Sequence, residues 1–203
     1  MNINQRPASP HNYQKGRGGH IPVKIVIHVE DGSREGTASW FANPASNVSA
    51  HYGVNSDGSI DQFVQETDTA FQAGNFAVNQ SSIGVEHEGR PAAGPWVPTN
   101  EQLIASAALV ADICKRYGIR PGPDTIIPHS SINPAHRCPG PTWPWAKYRQ
   151  MVADNLAPQS LPAHTATPAD KRTLRLFDPS TNEQMGTATL IVGTDKAYVV
   201  PKS

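Results

Sequence analysis

Apolar residues fall along this chain in short bursts separated by turn-forming residues, and each burst carries a recognisable period. Val23 to Val29 (VKIVIHV) is a nearly unbroken β-branched run whose late polar interruption is His28. That is the pattern of a strand buried on both faces. TASWFANP predicts a short helix stopped at Pro44. SAHYGVN and SIDQFVQ predict two strands, joined at Ser56-Asp57-Gly58-Ser59, a good hairpin turn. Ser82 to Glu88 (SIGVEHE) predicts another strand, with Ile83 and Val85 on one face and Gly84 and Glu86 on the other.

The clearest helix begins at Thr99. Thr99 and Gln102 form a capping-box pattern, Leu103, Ala107, Val110, Cys114 and Tyr117 make an apolar stripe, and Gly118 ends it. TIIPH predicts a short strand leading into the loop SSINPAHRCPGPTWP, followed by a helix through Lys147 to Leu156. Strands mixed with helices in this way predict an α/β fold, a sheet covered by helices.

The two ends read differently. Residues 1–20 are polar and rich in Gly and Pro, which predicts an irregular arm. After Leu156 comes a Pro/Ala/Thr linker, then TLRLFD, ATLIVG and AYVV, three short strand candidates. The expected organisation is a catalytic domain over residues 1–157, a linker over 158–168 and a small accessory β segment over 169–203. About thirty-five residues rarely hold themselves together without a metal or disulfide, so the tail is expected to pack on something.

The 203 residues suit one ordinary domain plus an appendage. Seventeen basic residues balance seventeen acidic ones, which excludes the broad basic footprint of non-specific nucleic-acid binding. No segment reaches the length of a membrane span. The first twenty residues have no apolar core of a secretory signal, so delivery to the outside of a cell is expected to depend on something else. Cys114 and Cys138 do not make a disulfide framework.

Zinc takes nitrogen and thiolate ligands, three from the protein where the fourth position holds a reactive water. Three candidates stand out: His28 at the end of the first strand, His129 after TIIP, and Cys138 in RCPGP. Strand ends opening into loops are where α/β sheets place ligands. Spacing alone does not single these out, since eight histidines allow many triples and there is no CxxC or HExxH. His28 reads equally as a satisfied core histidine, and Cys138 as an inert buried thiol.

The segments IVIHVEDGS, WFANPASNVSAHYGVNSDGSIDQFVQETDTAFQAGN, SSIGVEHEG and IIPHSSINPAHRCPGP fall in order across residues 23–141. Together they resemble the type-2 N-acetylmuramoyl-L-alanine amidase family of phage endolysins, bacterial amidases and animal peptidoglycan-recognition proteins. The resemblance implies a mixed central sheet flanked by helices, one zinc in a surface groove, and His28, His129 and Cys138 as its ligands. It also implies that Glu86 is the general base for the zinc water, the bland alternative being a solvated strand-edge glutamate. Glu88 is the competing carboxylate, and His87 reads as structural.

Several positions depart from the family. Ala50 stands where another branch has a catalytic tyrosine, while Tyr52 matches a core position and His51 a structural histidine. His136 stands where lysine often stabilises the oxyanion, with Arg137 beside it. Gln72 replaces a frequent histidine, with an expected effect on a substrate contact. Loops around Trp96 and Trp143 are expected to form groove walls, core packing being the other reading. The implied activity is zinc-dependent hydrolysis of the bond between N-acetylmuramic acid and L-alanine in peptidoglycan, in a phage-type lysin or a cytoplasmic recycling enzyme. The rival readings are a peptidoglycan-binding module without activity and a protein-binding regulator.

Overall fold

The computed structural model describes residues 1–91, 96–157, 170–177, 184–192 and 197–201, with backbone alone beyond residue 157. By its contacts the chain divides into two compact units, Met1–Pro158 and Gln159–Ser203.

The first unit is built on a mixed six-stranded sheet. Its strands are β1 (Ile3–Gln5), β3 (Lys24–Ile27), β4 (Tyr52–Val54), β5 (Ile60–Gln62), β7 (Ser82–His87) and β8 (Ile126–Pro128), in the order β1-β5-β4-β7-β3-β8. Only β4 and β5, the predicted hairpin, run antiparallel; the other neighbours are parallel. A second, two-stranded ribbon pairs β2 (Tyr13–Gln14) with β6 (Thr69–Ala70). Among the described residues four α-helices complete the unit: α1 (Arg34–Ala42), α2 (Phe76–Gln80), α3 (Asn100–Tyr117) and α4 (Trp145–Leu156).

The run KIVI puts β3 inside the sheet, and Ile25, Val26 and Ile27 are fully buried there. Side chains alternate along strands, so each face collects every second residue. Ile25, Ile27, Ile83, Val85 and Ile126 join one core with Leu103, Ala107, Val110 and Cys114 of α3 and with Tyr148 and Val152 of α4. Burying each such aliphatic side chain contributes roughly 1.5–3 kcal/mol. The alternate positions, Val26 and His28, Gly84 and Glu86, face the other way. A smaller cluster contains Ala38 and Phe41 of α1, with Ala50, Phe63 and Val64.

Helix α3 starts and stops where its caps require. Thr99 Oγ1 accepts the Gln102 N–H at 3.0 Å, and Gly118 takes the left-handed conformation, φ +65°. The capping box is not reciprocal, however. The Gln102 amide donates instead to the carbonyls of Val54 (2.8 Å) and Glu88 (3.0 Å), tying α3 to the ends of β4 and β7.

The N-terminal arm is a correction. Residues 1–20 are irregular only in part: β1 adds a parallel edge strand to β5, and β2 forms half of the ribbon. Asn4 Nδ2 donates to Ile60 O at 3.2 Å and to Asp61 Oδ1 at 3.3 Å. Arg17 is 7% exposed, and its guanidinium donates to the carbonyls of Glu66, Gln80 and Ser82 at 2.5, 2.8 and 3.1 Å. The arm is polar because it is held by hydrogen bonds to distant segments, not because it is loose.

The second unit is an antiparallel three-stranded sheet in the order β11-β10-β9: β9 (Asp170–Phe177), β10 (Gln184–Val192) and β11 (Ala197–Pro201). TLRLF, ATLIV and AYVV lie within these strands. The expected linker falls outside the described residues. No helix among the described residues is long and apolar enough to cross a membrane.

Candidate metal centre and groove

Parallel register brings the site together. Ile27 pairs with Val85 on one side and with Pro128 on the other, so the next residues along, His28, Glu86 and His129, lie side by side at the carboxyl ends of three neighbouring strands. The His28 N–H continues the ladder to Val85 O at 2.9 Å. Cys138 arrives from the loop after β8, and its Sγ accepts the Val29 N–H at 3.2 Å. One ligand atom each from His28, His129 and Cys138 lies within 4.8 Å of the others. The position is the usual ligand site of an open α/β sheet.

The electrostatics suit a cation. His28 and His129 are 2% and 7% exposed, and their rings lie 4.6 Å apart. Burial, then the neighbouring His129, pushes His28 down to about 3; burial and His136 lower His129. Both are therefore neutral imidazoles near pH 7, the form that ligates a metal. His129 Nε2 is buried with no hydrogen-bond partner. Burial and the nearby Glu86 hold the Cys138 thiol well above the usual thiol range, and a cation bound beside it would favour the thiolate. Two neutral imidazoles, one orphaned nitrogen and one thiol fit the donor set of zinc.

Glu86 Oε1 lies 3.9 Å from His28 Nδ1, and Glu86 Oε2 is buried without a partner. Burial, then Glu30, raises its carboxyl well above the usual range. Glu88 is engaged elsewhere. It accepts the N–H of Arg34 at the start of α1 and both the N–H and hydroxyl of Ser56, at 3.1, 2.9 and 2.7 Å. His87 is structural as expected: its Nδ1 meets His28 O at 2.8 Å and its Nε2 meets Ser106 Oγ at 2.7 Å. His51 is fully buried, its Nδ1 accepting the Gly84 N–H at 3.0 Å. Tyr52 sits in the core, and Ala50 is buried.

The site opens into a groove of about 900 Å³ bordered by His28, Glu86, His129, His136, Arg137 and Cys138. The His136 ring stacks on His129, centroids 4.6 Å apart at 21°. His136 and Arg137 are both exposed. The expected loops reach the groove through Pro91, Gly140 and Pro141, while their tryptophans do not line it. Trp143 is 3% exposed and belongs to the core, with Trp96 stacked on it at 6.2 Å. Trp40, Phe41 and Phe71 line the groove instead.

Two residues gain a place at the site that the sequence did not show. Gln72 turns its amide inward, with Oε1 2.5 Å from His28 Nε2, so it contacts a candidate ligand of the metal. Glu30 borders the groove beside Glu86, and burial pushes its carboxyl up to about 7. The nearby Thr37 hydroxyl tempers that rise, yet neither Glu30 oxygen has a partner at full hydrogen-bonding geometry. Opposite it is Gly53, where a Cβ would lie 2.8 Å from the Phe63 ring and 3.2 Å from Glu30 Oε1. That glycine, within an otherwise ordinary strand, was the one signal in the sequence.

The sequence profile of the N-acetylmuramoyl-L-alanine amidases matches residues 18–141, which include His28, Glu86, His129, His136 and Cys138. N-acetylmuramoyl-L-alanine amidase A of Achromobacter lyticus is 37% identical over 166 residues, 72% of this chain and 90% of that protein. The chain belongs to the N-acetylmuramoyl-L-alanine amidase family.

This amidase shares its fold with solved members. It is 27% identical to a selenomethionine derivative of AmpD, with a TM-score of 0.62 over 74% of this chain and 94% of that one. AmiD from E. coli, solved with the substrate anhydro-N-acetylmuramic acid-L-Ala-D-gamma-Glu-L-Lys, is also 27% identical. Its TM-score is 0.58, over 64% of this chain and 57% of that one. The amidase is an enzyme of peptidoglycan, which removes the reading of a binding module without activity. The family match ends at residue 141, before α4 and the three-stranded unit.

Proposed function

We propose that this amidase is zinc-dependent, with His28, His129 and Cys138 as the metal ligands, Glu86 as general base and His136 at the oxyanion. The observation that carries the proposal is the strand register that lines up Glu86, His28 and His129, with Cys138 closing the set. When bound, zinc supplies Lewis acidity, lowering the pKa of a coordinated water and polarising the scissile carbonyl.

The residues divide the remaining work. Glu86 takes a proton from the attacking water as the new C–O bond forms at the lactyl carbonyl. It then delivers that proton to the L-alanine nitrogen as the C–N bond breaks. His136, exposed on the groove rim and stacked on His129, donates a hydrogen bond to the developing oxyanion. Arg137 is the alternative donor. The wall of Trp40 and Phe71 offers apolar faces to the substrate.

We further propose a phage-type lysin that acts on the wall after release, with the three-stranded unit as its attachment element. What supports this is a separate unit lying beyond the family match. The test of the chemistry is mass spectrometry of products from a defined muropeptide. The expected products are a stem peptide with a free L-alanine amino group and an intact lactyl acid. Cleavage at any other bond contradicts the proposal.

A further inference from the structure

We propose that Gln72 is a positioning residue for the metal site: its amide fixes His28 in the Nε2-protonated tautomer and leaves Nδ1 as the donor atom. The inference rests on the zinc reading above. It follows from the polarity of a buried chain of hydrogen bonds.

Ser82 Oγ lies 2.6 Å from the carbonyl oxygen of Val78. A carbonyl only accepts, so the single hydroxyl proton of Ser82 is committed to it. What Ser82 offers Gln72 is a lone pair, 2.8 Å from the amide nitrogen, which must therefore be the donating NH2 group. The other end of the same amide is then its carbonyl oxygen, and this is the atom 2.5 Å from His28 Nε2. An acceptor at that distance requires the ring proton on Nε2. A neutral imidazole has only one such proton, so Nδ1 keeps its lone pair. Nδ1 is the nitrogen on the Glu86 side, 3.9 Å from Oε1.

The chain is built into the fold. Gln72 is 8% exposed and Ser82 is fully buried. The Asn79 side chain holds the Gln72 main chain, accepting its N–H at 3.3 Å. Strand β7 leaves room for the amide only because residue 84 is glycine, where a Cβ would lie 2.7 Å from Gln72 Cγ and 2.9 Å from Cδ. A metal-ligating imidazole commonly presents its other N–H to such an acceptor, which sets the tautomer and strengthens the ligand.

The test uses the full chain and two readouts. Imidazole 15N shifts of metal-free protein report the His28 tautomer, and competition with a chromophoric chelator reports the zinc dissociation constant. Wild type is expected to show Nε2–H alone. Gln72→Leu should give mixed tautomers and bind zinc about 10–100-fold more weakly. Gln72→Glu restores an acceptor and should recover both readouts most of the way. If Gln72→Leu does not fold, Ser82→Ala replaces it: the amide loses its fixed polarity, and mixed tautomers are expected. An Nδ1–H tautomer in wild type, or a variant unchanged in both readouts, overturns the proposal while leaving the zinc reading standing. Wild-type protein that takes up no zinc overturns the zinc reading and the proposal with it.

Discussion

Glu86 Oε1 lies 3.9 Å from His28 Nδ1, across two strands that hold the side chains 14% and 2% exposed. One residue is placed to hold a metal and the other to take a proton beside it, and substitution separates these roles. Glu86→Gln keeps the shape and removes the base. It should retain zinc and fold while losing roughly two to four orders of magnitude in rate. Metal content and steady-state kinetics on a soluble muropeptide check this. A near-normal rate in that variant moves the base elsewhere.

The raised Glu30 carboxyl predicts a pH-dependent stability. Its folded value of about 7 lies above the ordinary value of 4.5, so the folded state holds the proton more tightly than the unfolded chain. The resulting stabilisation is complete below the ordinary value and is lost as pH rises through about 7. Glu30→Gln should therefore match wild type near pH 4 and exceed it at pH 8, by at most about 3 kcal/mol. Urea unfolding of chelated protein at the two pH values is the measurement. A gap between the two proteins that stays constant with pH would mean that ionisation of Glu30 is not its cause.

Arg17 ties the N-terminal segment to the amidase core. Arg17→Ala strips its hydrogen bonds from the buried carbonyls around Glu66 and Ser82 and should cost about 3 kcal/mol in urea unfolding. A change under about 0.5 kcal/mol, the size of an ordinary surface substitution, would return the arm to the irregular segment expected from sequence.

Legibility followed the range of the interactions. Helix α3 was readable because its caps and stripe are local, and β3 because Ile25, Val26 and Ile27 in succession declare a buried strand. His28, His129 and Cys138 could be named, but only family resemblance chose them from eight histidines, since their meeting depends on strand register. Strand β1 has a single apolar residue, and it pairs with residues more than fifty positions away. Nothing near Ile3 announces that. The inward turn of Gln72 and the core side of Trp143 were illegible for the same reason: a polar or aromatic residue shows its type in sequence, but not which way it faces.

The unit beyond the linker is proposed to serve attachment rather than chemistry. Truncation after Ala157 should leave activity on soluble muropeptides within a factor of about two, since every residue assigned a role in catalysis lies before that point. Binding to purified cell walls should fall. If the shortened protein fails to fold, the tail belongs to the core instead.

The most direct test of the account is to measure bound metal and activity on the same samples during chelation and zinc add-back. One zinc per chain is expected, with activity that falls and returns in proportion to zinc content. His28→Ala should hold no zinc and cleave nothing. Full activity in protein stripped of metal would contradict zinc dependence.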